Sequence, residues 1–138
     1  MTGSSIIPCL RYADAGRMIG WLGEAFGFTA HAVHDDADGG IAHAELTLGA
    51  GMLMLGSARA GDDVFGRLQS TPAVLGGTTQ SAYLVVPDAD AAYRRAAVAA
   101  GAEIVIDIRD EDHGGRAFSC RDPEGQLWNL GTYDPWKT

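Results

Sequence analysis

Apolar positions along the chain follow two different periods. From Tyr12 to Phe28 the stretch "YADAGRMIGWLGEAFGF" brings Met18, Trp21, Leu22 and Ala25 onto one helical face, and from Val86 to Ala102 "VPDADAAYRRAAVAAGA" follows the same plan. Asp14 and Asp88 stand where a helix takes its N-cap, and Gly27 and Gly101 where it stops, so both segments read as helices. A β-like stretch precedes each, "SIIPCLRY" or "SAYLVV". After each helix, "DGGIAHAELTLGAGMLML" and "HGGRAFSCRDPEGQLWNL" alternate at period two around a glycine-bearing turn. In the second of these, Asp122-Pro123-Glu124-Gly125 supplies a fixed φ and a residue free to take positive φ, which predicts a hairpin.

The two halves are one plan written twice. The offset from Asp14 to Asp88, 88 less 14, is 74 residues, and it also relates Gly27 to Gly101, Gly51 to Gly125 and Leu53 to Leu127. Each half reads strand, helix, then three strands. The fold class is therefore α+β, with module one at about residues 5–56, a connector at 57–79 and module two at about 80–133 of a single 1–138 domain.

Composition narrows the partners. A chain of 138 residues with 46% hydrophobic content builds a core without disulfides or a structural metal. Ten basic against eighteen acidic residues give a net charge of -8, which disfavours nucleic acid and anionic membranes and favours a neutral or cationic small molecule. No apolar run approaches a membrane span, and "MTGSSIIPCLRY" has no leader-like apolar region, so a cytoplasmic location is expected. Cys9 and Cys120 lack the spacing of a redox pair or zinc site and read as buried inert thiols. No nucleophile elbow or phosphate-cradling glycine fingerprint appears.

"CLRYADAGRMIGWLGEAFGF", "HAELTLGAGMLML" and "RDPEGQLWNLGTYDPW", set in this tandem plan, resemble the vicinal oxygen chelate superfamily, which holds glyoxalase I, bleomycin-resistance proteins and extradiol dioxygenases. The resemblance covers essentially the whole chain. It implies two tandem βαβββ modules forming a cup-shaped mixed sheet with helices on the outer face, a ligand in the cup, and a homodimer. Metalloenzymes of the family carry their ligands on the first and last strands of each module. Those positions fall here on Ile7, Leu55, Ser81 and Asn129, none of them an imidazole, thiolate or carboxylate, so no metal and no other cofactor is expected. Asn129 then reads either as a hydrogen-bonding group for a neutral ligand or as a structural amide that satisfies local backbone.

Strand alternation places Ile41, His43, Glu45 and Thr47 on one face, and Ala42, Ala44, Leu46 and Leu48 on the face that meets the helix. The cup lining is expected to combine Leu53 and Leu55 with Phe118, Cys120, Leu127 and Asn129, joined by Ile7, Cys9 and Arg11 from one first strand and Ser81, Tyr83 and Val85 from the other. Trp128 should pack under a helix. A mostly apolar cavity with few polar groups suits a small amphipathic or aromatic compound. His43 and Glu45, two apart on one strand, form a candidate proton-transfer pair or, more plainly, a polar lining or surface pair; the alternative function is a lyase, isomerase or dioxygenase that uses them or an unusual metal site. His31, His34 and His113 receive no role; His34 with Asp35, Asp36 and Asp38 has the make-up of a metal cluster, but its loop setting favours a solvated turn.

Overall fold

The computed structural model describes residues 3–58 and 64–137, so connector residues 59–63 lie outside the described residues. The chain divides into two compact units, one of residues 1–23 and 27–71, the other of residues 24–26 and 72–138. Among the described residues each unit holds a four-stranded mixed sheet. In the first, β1 (Cys9–Tyr12), β2 (Thr29–Asp35), β3 (Ile41–Leu48) and β4 (Gly51–Ser57) are ordered β1-β4-β3-β2. In the second, β5 (Ala82–Val85), β6 (Glu103–Asp110), β7 (Arg116–Arg121) and β8 (Leu127–Gly131) are ordered β5-β8-β7-β6. The first strand of each sheet runs parallel to the last, and the remaining pairs are antiparallel. Both units thus have the βαβββ plan read from the sequence.

Helix α1 (Ala15–Phe26) starts where Asp14 accepts a hydrogen bond from the Arg17 N–H, and ends at Gly27, whose φ of 91° is open to glycine without strain. Its apolar stripe, Ala15, Met18, Leu22 and Ala25, is buried. Helix α4 (Ala89–Tyr93) begins in the same way, with Asp88 accepting from the Ala91 N–H. It continues as a π-helical segment, Arg94–Ala99, in which the Ala100 N–H reaches back to the Arg95 carbonyl. Two short helices, α2 (Val64–Leu68) and α3 (Pro72–Leu75), lie between the sheets in sequence. No helix among the described residues is long and apolar enough to cross a membrane.

The stretch "SIIPCLRY" yields a shorter strand than expected. Pro8 has no N–H for a ladder, so β1 begins at Cys9 and Ile7 precedes it; the Pro8 carbonyl still accepts from the Met54 N–H at 2.9 Å.

Register fixes which side chains share a face. Ala44 pairs with Leu55 and Leu46 with Leu53, and all four are buried. Phe118 pairs with Leu130 and Cys120 with Trp128, and these four are buried as well. Tyr93 of α4 meets Phe118 edge-on at 5.2 Å, which places that helix on the buried face of the second sheet. Trp128 lies under Phe26, the last residue of α1, at 5.2 Å.

Candidate functional site

Opposite the buried face, the second sheet presents Tyr83, Asn129 and Ser119, which are consecutive partners across β5, β8 and β7. Asn129 ties these strands together. Its Nδ2 donates to Ser81 Oγ at 2.9 Å and to the Ala82 carbonyl at 3.1 Å, while its Oδ1 accepts from Ser119 Oγ at 2.6 Å. Both amide hydrogens are thereby used, leaving one lone pair on Oδ1 for any further group. Of the two readings of Asn129, ligand-binding group or structural amide, the geometry is that of the structural amide, bonded within its own sheet.

Tyr83 is half exposed and donates from its hydroxyl to the Tyr133 carbonyl at 2.7 Å. Burial, reinforced by Asp134, raises its phenol above the usual range, so the hydroxyl stays protonated. Ser81 is exposed just before β5, Val85 is exposed at its end, and Leu127 is half-buried on the Asn129 side of β8.

Four expected lining residues go elsewhere. Phe118 and Leu55 belong to the buried faces and not to the faces of Asn129 or Glu45, and Cys120 and Leu53 go with them. The cause is a slip in the repeat. Leu10 pairs with Leu55 in the first sheet and Leu84 with Leu130 in the second, so the equivalent of Leu55 is Leu130 and that of Asn129 is Met54. The β7–β8 turn is one residue longer than a constant offset of 74 allows, and one residue reverses the face of a strand side chain. Burial of Cys120, with help from Asp122, pushes its thiol up to about 12, as an inert core thiol requires.

In the first sheet His43 and Glu45 sit together as expected, with His43 Nε2 at 2.9 Å from Glu45 Oε2 and both side chains partly exposed. Met54 is the cross-strand partner of Glu45, and Cys9, exposed at the start of β1 and not the buried thiol expected, is the partner of Met54, so a carboxylate and an imidazole lie beside two sulfur side chains. The hydrogen bond from His43 holds the Glu45 carboxyl below the usual range, outweighing the opposing desolvation. Sequence reasoning grouped His34 with the turn acids and not with His43. It is the register partner of His43, and the two rings stack with centroids 6.1 Å apart and planes 20° apart. Reading β2 and β3 as an antiparallel pair would have brought the two imidazoles together. The neighbouring acids behave as the expected turn, with Asp36 accepting from the Asp38 and Gly40 N–H groups.

The metal question turns on donors. At the positions where family metalloenzymes hold their ion, Asn129 and Ser81 are bonded to each other, Leu55 points into the core, and Ile7 is a hydrocarbon. The slip substitutes Met54 for Leu55, a thioether and still not a ligand suited to a catalytic divalent ion. These residues do not fit the group.

Fold and donor set define a two-module α+β protein of the vicinal oxygen chelate class. The chain belongs to the Glyoxalase/Bleomycin resistance protein/Dioxygenase superfamily, whose model matches residues 6–130. An uncharacterised protein of Mycobacterium bovis is 34% identical over 130 residues, covering 92% of this chain and 82% of that protein. The crystal structure of TioX from Micromonospora sp. ML1 is 33% identical with a TM-score of 0.71, covering 94% of this chain and 98% of that one. The fosfomycin resistance protein FosX of Listeria monocytogenes, solved with Mn(II) and 1S,2S-dihydroxypropylphosphonic acid, shares the fold at 14% identity and a TM-score of 0.68, covering 98% and 93% of the two chains.

Proposed function

We propose that this protein binds a small amphipathic or aromatic compound without a metal, in the manner of a bleomycin-resistance protein that sequesters its ligand. The observation that carries the reading is the Asn129 tie: where a family metalloenzyme presents a glutamate, this chain spends an amide on Ser81, Ala82 and Ser119. What remains beside it is the exposed Tyr83 ring and the aliphatic Val85 and Leu127, a surface that recognises shape and apolar area. The net charge of -8 favours a cationic ligand over an anionic one. The functional unit in this reading is a cytoplasmic homodimer.

The test is a screen of aromatic and amphipathic compounds by thermal shift, followed by calorimetric titration of hits with chelator present. Binding should persist in chelator and weaken about tenfold or more in Tyr83→Ala, a loss of about 1.4 kcal/mol. If every hit requires an added divalent ion, the metal-independent reading falls.

The contact between His43 and Glu45 favours a second reading, that of a lyase or isomerase in which His43 takes a proton from substrate while Glu45 holds the ring. Turnover lost in both His43→Gln and Glu45→Gln, with ligand affinity kept, would support this reading over sequestration.

A further inference from the structure

The β2–β3 pair carries a constellation that neither reading needs in full. His34 and His43 are direct partners in an antiparallel ladder, so their side chains leave the same face, and their rings already lie nearly parallel at 6.1 Å. His43 Nε2 is 2.9 Å from Glu45 Oε2. An ionised carboxylate only accepts, so in the neutral imidazole this contact places the proton on Nε2 and leaves the lone pair on Nδ1. A carboxylate holding one ring nitrogen so that the other faces outward is the arrangement that orients a metal-binding histidine and raises its basicity. His34 is exposed, on a strand at the margin of the sheet, where water can reach it.

We propose that His34 and His43, with Glu45 as the positioning residue, form a two-nitrogen site for a late first-row divalent ion such as Cu2+, Ni2+ or Zn2+. Imidazole donors select these ions over Mg2+ and Ca2+, which demand oxygen. Two imidazoles bound at about 2.0–2.1 Å to one ion have ring centres about 5–6 Å apart, so a small rotation of the exposed His34 ring closes the observed spacing. Among the described residues no group of three His, Cys, Asp or Glu is assembled around one point, so water completes the coordination shell. The site differs from the family's first-strand and last-strand positions, and one ring nitrogen of His43 serves either as a base or as a ligand.

The experiment uses the full-length, untagged, chelator-stripped protein, titrated calorimetrically with CuCl2, NiCl2 or ZnCl2, and with MgCl2 as a control. One transition ion per chain should bind with a dissociation constant in the micromolar range, and Mg2+ should not bind. His34→Ala and His43→Ala should each weaken binding at least tenfold. Glu45→Gln should weaken it by about 10-fold to 100-fold. His113→Ala, in the second unit, should leave it unchanged. In the Cu2+ complex the electron paramagnetic resonance spectrum should show two coordinated nitrogens, falling to one in His34→Ala. That variant alters an exposed side chain, so it keeps the test open even if His43→Ala fails to fold. Affinity no tighter than millimolar, affinity indifferent to His34→Ala, or equal loss in His113→Ala would overturn the proposal. Because the small-molecule titration is run in chelator, failure here leaves that reading untouched.

Discussion

Replacing Asn129 with aspartate exchanges an NH2 group for an oxygen at one point in the second sheet. The Ser119 hydroxyl goes on donating to the remaining oxygen, and the Ser81 hydroxyl can turn from acceptor to donor, so neither contact is lost. The Ala82 carbonyl cannot adapt. It loses its donor at 3.1 Å and faces an oxygen instead, which removes about 0.5–1.5 kcal/mol of hydrogen bond and adds about 1–3 kcal/mol for two acceptors held together. Asn129→Asp should therefore cost about 2–3 kcal/mol at pH 7. Asn129→Ala removes donor and acceptor together at a half-buried position that water can refill, and should cost about 1 kcal/mol. The assay is urea unfolding of the three proteins, where the midpoint should fall in the order wild type, Asn129→Ala, Asn129→Asp, with the slope unchanged. The pH dependence is a second check. Placed against a carbonyl with no cation, the introduced carboxyl has a folded pKa above its unfolded value of about 3.9. Its protonated form donates to Ala82, so the deficit should shrink below about pH 4 and grow as pH rises through the folded pKa. An aspartate variant as stable as the alanine variant at pH 7 would refute the tie.

Phe118→Ala removes a ring that is 1% exposed and packed against Tyr93, and should cost about 3–5 kcal/mol in stability by calorimetry or denaturant unfolding. Asp122→Ala strips acceptors from the Trp128 indole and from the Glu124 and Gln126 N–H groups, and should cost at least about 3 kcal/mol, whereas an exposed loop aspartate would cost little in the same unfolding assay. A thiol reagent at pH 8 should modify Cys9 rapidly and Cys120 only after denaturation, giving one thiol per native chain and two per unfolded chain. The raised Cys120 value stabilises the fold below its unfolded pKa, so stability should decline from about pH 9 toward 12 with a slope of at most about 1.4 kcal/mol per pH unit. Sedimentation should give the mass of a dimer; a concentration-independent 14.5 kDa would refute it.

The architecture was legible because local chemistry punctuates it. Asp14 and Asp88 cap their helices, Gly27 and Gly101 take positive φ at or just beyond their ends, and Gly125 at φ 89° closes the hairpin, so side-chain chemistry and backbone permission coincide at each boundary. The continuation of α4 as a π-helix was not legible. "RRAAVAAGA" is an ordinary helical stretch, and i→i−5 bonding leaves no mark in the pattern of apolar residues.

The candidate site shows where sequence periodicity stops being enough. Counting from Gly125 puts Asn129 four residues past the turn, a distance local to β8, and Tyr83 is its β5 partner because β1 and β5 keep the 74-residue offset. Transferring the same count to Leu55 failed, because a turn lengthened by one residue preserves every hydrophobic period and still reverses the face. Two buried leucines related by an offset of 75, Leu55 and Leu130, would have exposed the slip, since a core demands that equivalent strands bury equivalent positions. The His34–His43 pair lay beyond any count within one strand. It depends on β2 meeting β3 in one register, set by bulges between Ala30 and Ala32 and between His34 and Asp35, and bulges are paid for by local twist that hydrophobic periodicity does not record. Helices, caps and hairpins are therefore readable from one strand of text at a time, whereas functional constellations on a sheet require the pairing to be known, and it is the pairing that moved Phe118 and Leu55 into the core and placed His34 beside His43.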